Sequence, residues 1–286
     1  MKPRARRGGS VPARRRRPRA PRERATYDLA ERDPAYIRDT LPIVRLYTTR
    51  YHRAEVRGIE RIPQSGGLLL VGNHSGGLMP PDAPILAVPF FEHFGVERGL
   101  FLLSHDIVFW TPFGWALRKW GMMPASRANT RLALRAGHAV FVFPGGDYDV
   151  FRPTSLSAKI DFGGRKGFIE IALEENVPIV PVVSIGGQET QLFLTRGESL
   201  AKWSPLGSVF RSKLFPITFG FPLGFSLGGV NLPLPAKITT EVLEPIHLGL
   251  RFGDRPDRDE IYELVTATLQ TALDRLARER RLPILG

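Results

Sequence analysis

The sequence predicts an α/β fold in which helices flank a mostly parallel mixed sheet, with a single domain over residues 27–286. Strand-like and helix-like segments alternate along the chain, which is typical of βαβ units. Two strand-like runs are apolar on both faces, as expected of strands that lie between two helical layers: Ala139–Phe143 and Pro178–Val183. A chain of 286 residues is long enough to enclose one large hydrophobic core.

The individual elements follow from local signals, taken in chain order. Asp33-Pro34 predicts a helix start, because aspartate caps a first turn and proline fits its first position. Strands are then predicted at Arg53–Ile59, Gly67–Val71, Gly99–Leu103, Ala139–Phe143, Pro178–Val183 and Ile238–Leu243. Helices are predicted at Asp82–Phe94, Thr111–Trp120, Asn129–Arg135 and Arg165–Glu175, and a long amphipathic helix that includes Ile261 to Leu276 closes the chain.

Most of the positive charge lies in the first 26 residues. They carry +10 of the formal net charge of +12, from ten Arg and one Lys against one Glu, and they contain no aromatic residue. This composition predicts a disordered Arg-rich tail over residues 1–26. Three roles are open for it: a solvated appendage, a tether to an anionic membrane, where each basic residue contributes about 1 kcal/mol, and a nucleic-acid arm, which is the least favoured.

The composition also excludes several kinds of site. The chain has no cysteine, which excludes disulfides, thiolate zinc sites and a cysteine nucleophile. The tail lacks the apolar segment of a secretory signal. Proline or glycine interrupts the longest apolar stretches, Ala83–Phe91 and Leu214–Phe225, so none reaches the ~20 residues of a spanning helix. We therefore expect a cytoplasmic protein that associates peripherally with a membrane.

A candidate catalytic pair follows the strand Gly67–Val71. His74 comes directly after this strand, and a Gly- and Pro-rich loop separates it from Asp82. An imidazole titrates near neutral pH, and a nearby carboxylate fixes its tautomer and stabilises its cation. Sites in this fold class form at the carboxyl ends of strands, where His74 and the Pro144-Gly145-Gly146 turn both lie. The pattern predicts a general base; in the alternative, Asp82 only caps the helix before Ala83.

Four segments follow one another along the chain with a characteristic order and spacing: Asn73-His74 with Asp82, Gly121–Arg127, Phe141–Asp147 and Val177–Val182. This series resembles the glycerolipid (lysophospholipid) acyltransferase family, whose blocks are His-x4-Asp, a Gly-to-Arg segment, Phe-Pro-Glu-Gly and Val-Pro-Ile-x-Pro. The resemblance spans residues 59–187. The chain departs from it twice: seven residues separate the His from the Asp, and Pro-Gly-Gly-Asp replaces the third block, as in the diacylglycerol acyltransferase branch.

The resemblance implies an acyltransferase fold and the transfer of an acyl group to a glycerolipid hydroxyl. Acyl-CoA, or an acyl-carrier protein, would be the donor, with no further cofactor and no metal. His74 would take the proton of the acceptor hydroxyl, which attacks the thioester directly, and Asp82 would orient the imidazole. Arg127 and the amides of Gly145 and Gly146 would face a phosphate or the developing oxyanion.

Two glycerolipid classes compete as the acceptor: a lysophospholipid is the first choice, and diacylglycerol or another neutral alcohol is the second. Arg127 and the pair Arg165-Lys166, which stands at a predicted helix start where phosphate binds well, favour a lysophospholipid such as lysophosphatidate. The Pro-Gly-Gly turn favours diacylglycerol or another neutral alcohol. The aromatic stretch Phe109–Trp120 holds three of the four tryptophans beside basic residues, which suits either an anionic membrane surface or an ordinary core.

Two other classes of function compete with acyl transfer. One is a non-catalytic protein that binds a membrane or nucleic acid through its basic tail. The other is a metal-dependent glycosyltransferase, because Asp147-Tyr148-Asp149 spells the Asp-x-Asp tripeptide of those enzymes. The serine hydrolase class is disfavoured: no Gly-x-Ser-x-Gly elbow occurs, and the adjacent side chains of Ser104-His105-Asp106 diverge and cannot form a triad.

Overall fold

The computed structural model describes residues 27–198, 214–228, 230–253, 257–282 and 284–285, so the predicted disorder of residues 1–26 lies outside the described residues. The strands are β1 (Glu55–Arg57), β2 (Leu68–Gly72), β3 (Leu100–Ser104), β4 (Met122–Pro124), β5 (Ala139–Val142), β6 (Ile179–Ile185), β7 (Leu192–Thr195), β8 (Ile217–Gly220), β9 (Gly224–Leu227) and β10 (Thr239–Val242). The helices are α1 (Pro34–Leu46), α2 (Asp82–Phe94), α3 (Gly114–Lys119), α4 (Arg127–Arg135), α5 (Gly146–Val150), α6 (Gly167–Glu175), α7 (Leu248–Phe252) and α8 (Arg258–Glu279).

A seven-stranded sheet forms the centre of the fold, in the order β1-β10-β6-β2-β5-β3-β4. Strands β6, β2, β5, β3 and β4 run parallel to one another, while β10 is antiparallel to β6 and β1 is parallel to β10. The predicted mixed and mostly parallel sheet is therefore confirmed. Because β2 and β5 are parallel neighbours, their carboxyl ends meet at one edge of the sheet.

Helices cover both faces of this sheet. Successive side chains of a strand point to opposite faces, and β2 uses both for packing. Leu68 and Leu70 belong to a core with residues of α1 and α2, whereas Leu69 and Val71 belong to a core with residues of α4, α6 and α8. The fully buried central strand is thus the apolar run that the sequence predicted, and it carries the loop of His74 at its carboxyl end.

The helix starts follow the signals in the sequence. The side chain of Asp33 accepts the N–H of Tyr36 at 3.0 Å and caps α1, with Pro34 at the first helical position. The hydroxyl of Ser126 accepts the N–H of Asn129 at 3.1 Å and caps α4. Side-chain caps of this kind satisfy orphan N–H groups of the first turn.

A second, three-stranded antiparallel sheet in the order β7-β8-β9 was not predicted. Its inner face carries the buried side chains of Phe193 and Thr218. Its outer face leaves Leu192, Phe219 and Phe225 between 44% and 72% exposed. The stretch Leu214–Phe225, one of the longest apolar runs of the sequence, thus lies partly in this sheet. No helix in the described part of the chain is long and apolar enough to cross a membrane.

Candidate active site

The loop that carries His74 begins with a side chain that prolongs the sheet. The amide of Asn73 donates to the carbonyl of Ser184 and accepts the N–H of the same residue, both at 2.8 Å. This pair of bonds imitates a strand pairing between the end of β2 and β6, and Asn73 is buried. The backbone is therefore fixed at the residue that precedes His74.

The long loop then folds back onto its own start. Gly76 and Gly77 have φ values of +95° and +77°, which glycine adopts without the steric penalty of a side chain. This reversal brings Asp82, the first residue of α2, next to His74 although seven residues separate them. Across the loop, a Cβ added to Gly187 would run into the hydroxyl of Ser75, so the close approach there requires glycine.

Asp82 accepts three hydrogen bonds from the loop that precedes it. Its Oδ2 lies 3.1 Å from Nδ1 of His74 and 2.7 Å from the N–H of Ser75, and its Oδ1 lies 2.9 Å from the Ser75 hydroxyl. Pro81 is the N-cap residue of α2, and the bonds of the Asp82 carboxylate go back to His74 and Ser75. The carboxylate is thus oriented toward the imidazole, where it selects the tautomer with hydrogen on Nδ1.

The imidazole of His74 is held between a carboxylate and an aromatic ring. The ring of Phe143, one residue beyond β5, stacks on it with centroids 4.1 Å apart and an interplanar angle of 10°. The His74 side chain is 16% exposed. Since Nδ1 faces Asp82 and no hydrogen bond in the described part of the chain uses Nε2, that nitrogen is the one that could accept a proton from a bound hydroxyl.

Asp149 is a neighbour of His74 that sequence reasoning missed. Its Oδ2 accepts the backbone N–H of His74 at 2.5 Å, and its Oδ1 pairs with the guanidinium of Arg152. Both side chains are buried. Burial raises the pKa of the Asp149 carboxyl to about 6, while the charge of Arg152 and the N–H of His74 offset part of that rise. The sequence shows only that this acid lies three residues after Gly146 of the Gly-Gly turn.

The predicted Pro144-Gly145-Gly146 turn lies beside the same residues. Gly146 has a φ of +48° and its N–H donates to the Phe143 carbonyl at 3.0 Å. Gly145 has an ordinary φ of −65°, so its backbone conformation does not require glycine. Glycine is required there because a Cβ would collide with the side chain of Asp149. Arg165 reaches this turn, with 2.6 Å from Nη1 to the Gly145 carbonyl. The binding roles of Gly145, Gly146 and Arg165 stay predictions.

Two other predicted binding residues are paired with carboxylates of neighbouring helices. Arg127 forms ion pairs with Glu170 and Glu174 of α6. Lys166 forms an ion pair with Asp259 of α8. None of these ion pairs connects Arg127 or Lys166 to His74. Their role in binding a phosphate stays a prediction that requires them to leave these acidic partners.

The two aspartates of the Asp-x-Asp tripeptide form ion pairs with different arginines. Asp147 pairs with the half-exposed Arg165 at 2.7 Å, whereas Asp149 is buried against Arg152. Within the described residues, no group of three His, Asp or Glu side chains is arranged to hold a metal ion. His105, the centre of the apparent Ser-His-Asp run, instead caps a short 3-10 helix by accepting the N–H of Ile107 at 3.2 Å.

Comparison with known proteins finds similarity over the segment that carries these residues. A family model described as Acyltransferase matches residues 53–185, which contain His74, Asp82 and Asp149. An uncharacterized protein of Mycobacterium tuberculosis is 34% identical over 245 residues, which cover 84% of this chain and 66% of that protein. A Bos taurus protein named DGAT1/2-independent enzyme synthesizing storage lipids is 30% identical over 195 residues, covering 68% of this chain and 56% of its own length. The chain thus spans just under two thirds of the mycobacterial relative and a little over half of the bovine one.

A solved structure shares the fold. The crystal structure of the 1-acyl-sn-glycerophosphate acyltransferase of Thermotoga maritima superposes with a TM-score of 0.51 over 86% of this chain and 84% of that chain. Sequence identity between the two is 18%, so this similarity concerns the fold alone. It confirms the acyltransferase-like architecture that the order of the four segments predicted.

Proposed function

Because the chain belongs to the acyltransferase family through residues 53–185, we propose that it transfers a fatty acyl group from acyl-CoA to the hydroxyl of a glycerolipid, with His74 as general base. The observation that carries this proposal is the His74–Asp82 pair, in which Nδ1 lies 3.1 Å from Oδ2. With Nδ1 bound to the carboxylate, Nε2 is free to take a proton. The stacked ring of Phe143 keeps the imidazole in one orientation.

The proposed reaction is a direct transfer without a covalent enzyme intermediate. Nε2 of His74 takes the proton of the acceptor hydroxyl while its oxygen attacks the thioester carbonyl. The tetrahedral intermediate then expels the CoA thiolate, which receives the proton from the imidazolium, so that an ester and free CoA leave the site. Asp82 stabilises the imidazolium between the two steps. The alignment of two substrates by the site adds to the general-base effect.

For the acceptor, two observations favour a neutral acylglycerol. Arg127 and Lys166, which would recognise a phosphate, each pair with a carboxylate. The bovine relative is named for the synthesis of storage lipids, a class of neutral esters. Lysophosphatidate is the second candidate, and one observation favours it: Arg165, although it also pairs with Asp147, is 46% exposed and contacts the Gly145 carbonyl two residues beyond Phe143, whose ring stacks on His74.

The experiment that tests this proposal measures thiol release from a long-chain acyl-CoA. The purified full chain is given monoacylglycerol, diacylglycerol, a long-chain alcohol, lysophosphatidate or lysophosphatidylcholine in turn. Since the chain has no cysteine, the thiol reagent reports only free CoA. We expect release that depends on the acceptor and is fastest with a neutral acylglycerol, with the new ester identified by mass spectrometry. Release that is fastest with lysophosphatidate would select the second candidate, and no release with any acceptor would reject the proposal.

We also propose that an exposed aromatic cluster meets the membrane from which the acceptor is taken. Trp110, Phe113 and Trp115 are 79%, 71% and 60% exposed, and aromatic rings of this kind are enriched at bilayer interfaces. The double variant Trp110→Ser/Phe113→Ser is expected to bind phosphatidylcholine vesicles more weakly in a sedimentation assay. Leu250→Ser removes another exposed apolar side chain, 88% exposed on α7, and serves as the control. Equal loss in both variants would contradict a specific interface at the aromatic cluster.

A further inference from the structure

The backbone of His74 is anchored by a carboxylate that cannot touch a substrate. Asp149 is fully buried, yet its Oδ2 lies 2.5 Å from the His74 nitrogen, 75 residues away along the chain. A buried N–H group costs free energy if it has no acceptor. Asp149 provides that acceptor at the residue whose side chain must face the acyl acceptor.

The anchor is held in turn by buried groups around α5. Arg152 is 1% exposed and its guanidinium pairs with Oδ1 of Asp149, which leaves Oδ2 for His74. Gln188, also buried, donates to the carbonyls of Val150 and Arg152 and lies 3.4 Å from the N–H of Gly76 through its Oε1. The segment that follows the Gly-Gly turn therefore binds two N–H groups of the His74 loop. It binds the N–H of His74 directly and the N–H of Gly76 through Gln188.

We propose that Asp149 is a positioning residue: it holds the His74 backbone so that the imidazole stays between Asp82 and Phe143 with Nε2 toward the acceptor. This inference rests on the proposed function. Stability alone is a weak reason for such a pair, because a buried ion pair is often no better than apolar residues of similar size. Gly145 fits the same role, since a side chain there would displace Asp149.

Two double variants separate positioning from stability. Asp149→Asn/Arg152→Met and Asp149→Leu/Arg152→Met both remove the ion pair without leaving a buried unpaired charge, and asparagine and leucine have similar shapes. Only asparagine keeps an oxygen that can accept the N–H of His74. We expect the asparagine variant to retain most of kcat, and the leucine variant to lose about 10²-fold in kcat with KM little changed, because small displacements of a catalytic group have effects of that size.

Hydrogen exchange of the His74 amide provides a readout that does not require activity. In the wild type and the asparagine variant this amide is expected to be protected; in the leucine variant it should exchange much faster, with the amides of β2 unchanged as an internal reference. If the leucine variant does not fold, Asp149→Ala/Arg152→Met takes its place. Glu175→Gln, which loses the ion pairs to Arg131 and Arg135 on α4, controls for ion-pair loss elsewhere.

The outcomes are distinct. Equal kcat and equal His74 exchange in the asparagine and leucine variants would overturn the positioning role. If the wild type transfers no acyl group to any acceptor but the amide exchange still follows the presence of an oxygen at position 149, the proposed function fails and the anchoring of His74 stands.

Discussion

Replacement of His74 by alanine is expected to lower acceptor-dependent CoA release by about 10²- to 10⁴-fold, the usual size of a general-base contribution. The loss should lie in kcat and not in KM, because the role proposed for the imidazole is to take the acceptor proton in the transition state. His74 is a loop residue outside the cores formed by the sheet and helices, so the cooperative unfolding transition should change little. The measurement is thiol release at saturating acyl-CoA and acceptor, with circular dichroism to confirm the fold.

His105→Ala is the matched control for this experiment. His105 also lies just after a strand, β3, but it is exposed and its Nδ1 accepts the N–H of Ile107 at 3.2 Å. We expect this variant to keep nearly all of the wild-type rate. Release that survives in His74→Ala would contradict the general-base role, whereas similar losses in both variants would show that the assay reports loop stability and not catalysis.

The centre of the fold could be predicted from sequence because its elements are strongly marked. The strand Leu68–Gly72 is a pure apolar run, and Asp82–Phe94 was predicted with the bounds that the helix has in the structure. Proline at the first position of α1 acts as a local signal, whose effect does not depend on distant residues. The helix predicted from Asn129 instead begins at Arg127, because Ser126 caps it. Where local preference and burial agree in this way, a single sequence is sufficient.

The elements that were not predicted are short and depend on tertiary contacts. Strand β4 has three residues and exists because it pairs with β3, and α5 has five residues. Strand β8 pairs both with β7, which is distant in sequence, and with β9, so no local pattern marks the register of the three strands. The apolar residues of Leu214–Phe225 do not indicate the direction of a strand or its partner.

In the candidate site, too, some residues could be predicted from sequence and other contacts could not. His74 and Asp82 could be predicted because they belong to a motif, and the structure places them in contact despite the long loop. Asp149 could not be assigned its contact, since that contact depends on the strand order that sets β5 beside β2. The acidic partners of Arg127 and Lys166 lie on other helices, and sequence distance contains no information about such pairs.

Asp82→Asn is expected to be nearly as damaging as the loss of His74 itself, at about 10²- to 10⁴-fold in kcat. The amide is neutral and has only one oxygen acceptor. It therefore no longer stabilises the tautomer with hydrogen on Nδ1 or the positive charge of the imidazolium. The backbone N–H and hydroxyl of Ser75, at 2.7 and 2.9 Å, also lose a charged acceptor. Ser75→Ala removes only one of these donors and should cost much less, which makes it the matched control.

A double-variant cycle decides whether Asp82 acts through His74 or separately. If the carboxylate only orients and stabilises the imidazole, it has no function once the imidazole is absent, and His74→Ala/Asp82→Asn should be no slower than His74→Ala. Non-additivity of this kind is the signature of residues that act as a unit. Independent effects that multiply would mean that Asp82 contributes by another route, such as the fixed shape of the loop around Ser75. The three hydrogen bonds accepted by Asp82 make both routes structurally possible, and the rate of the double variant distinguishes them.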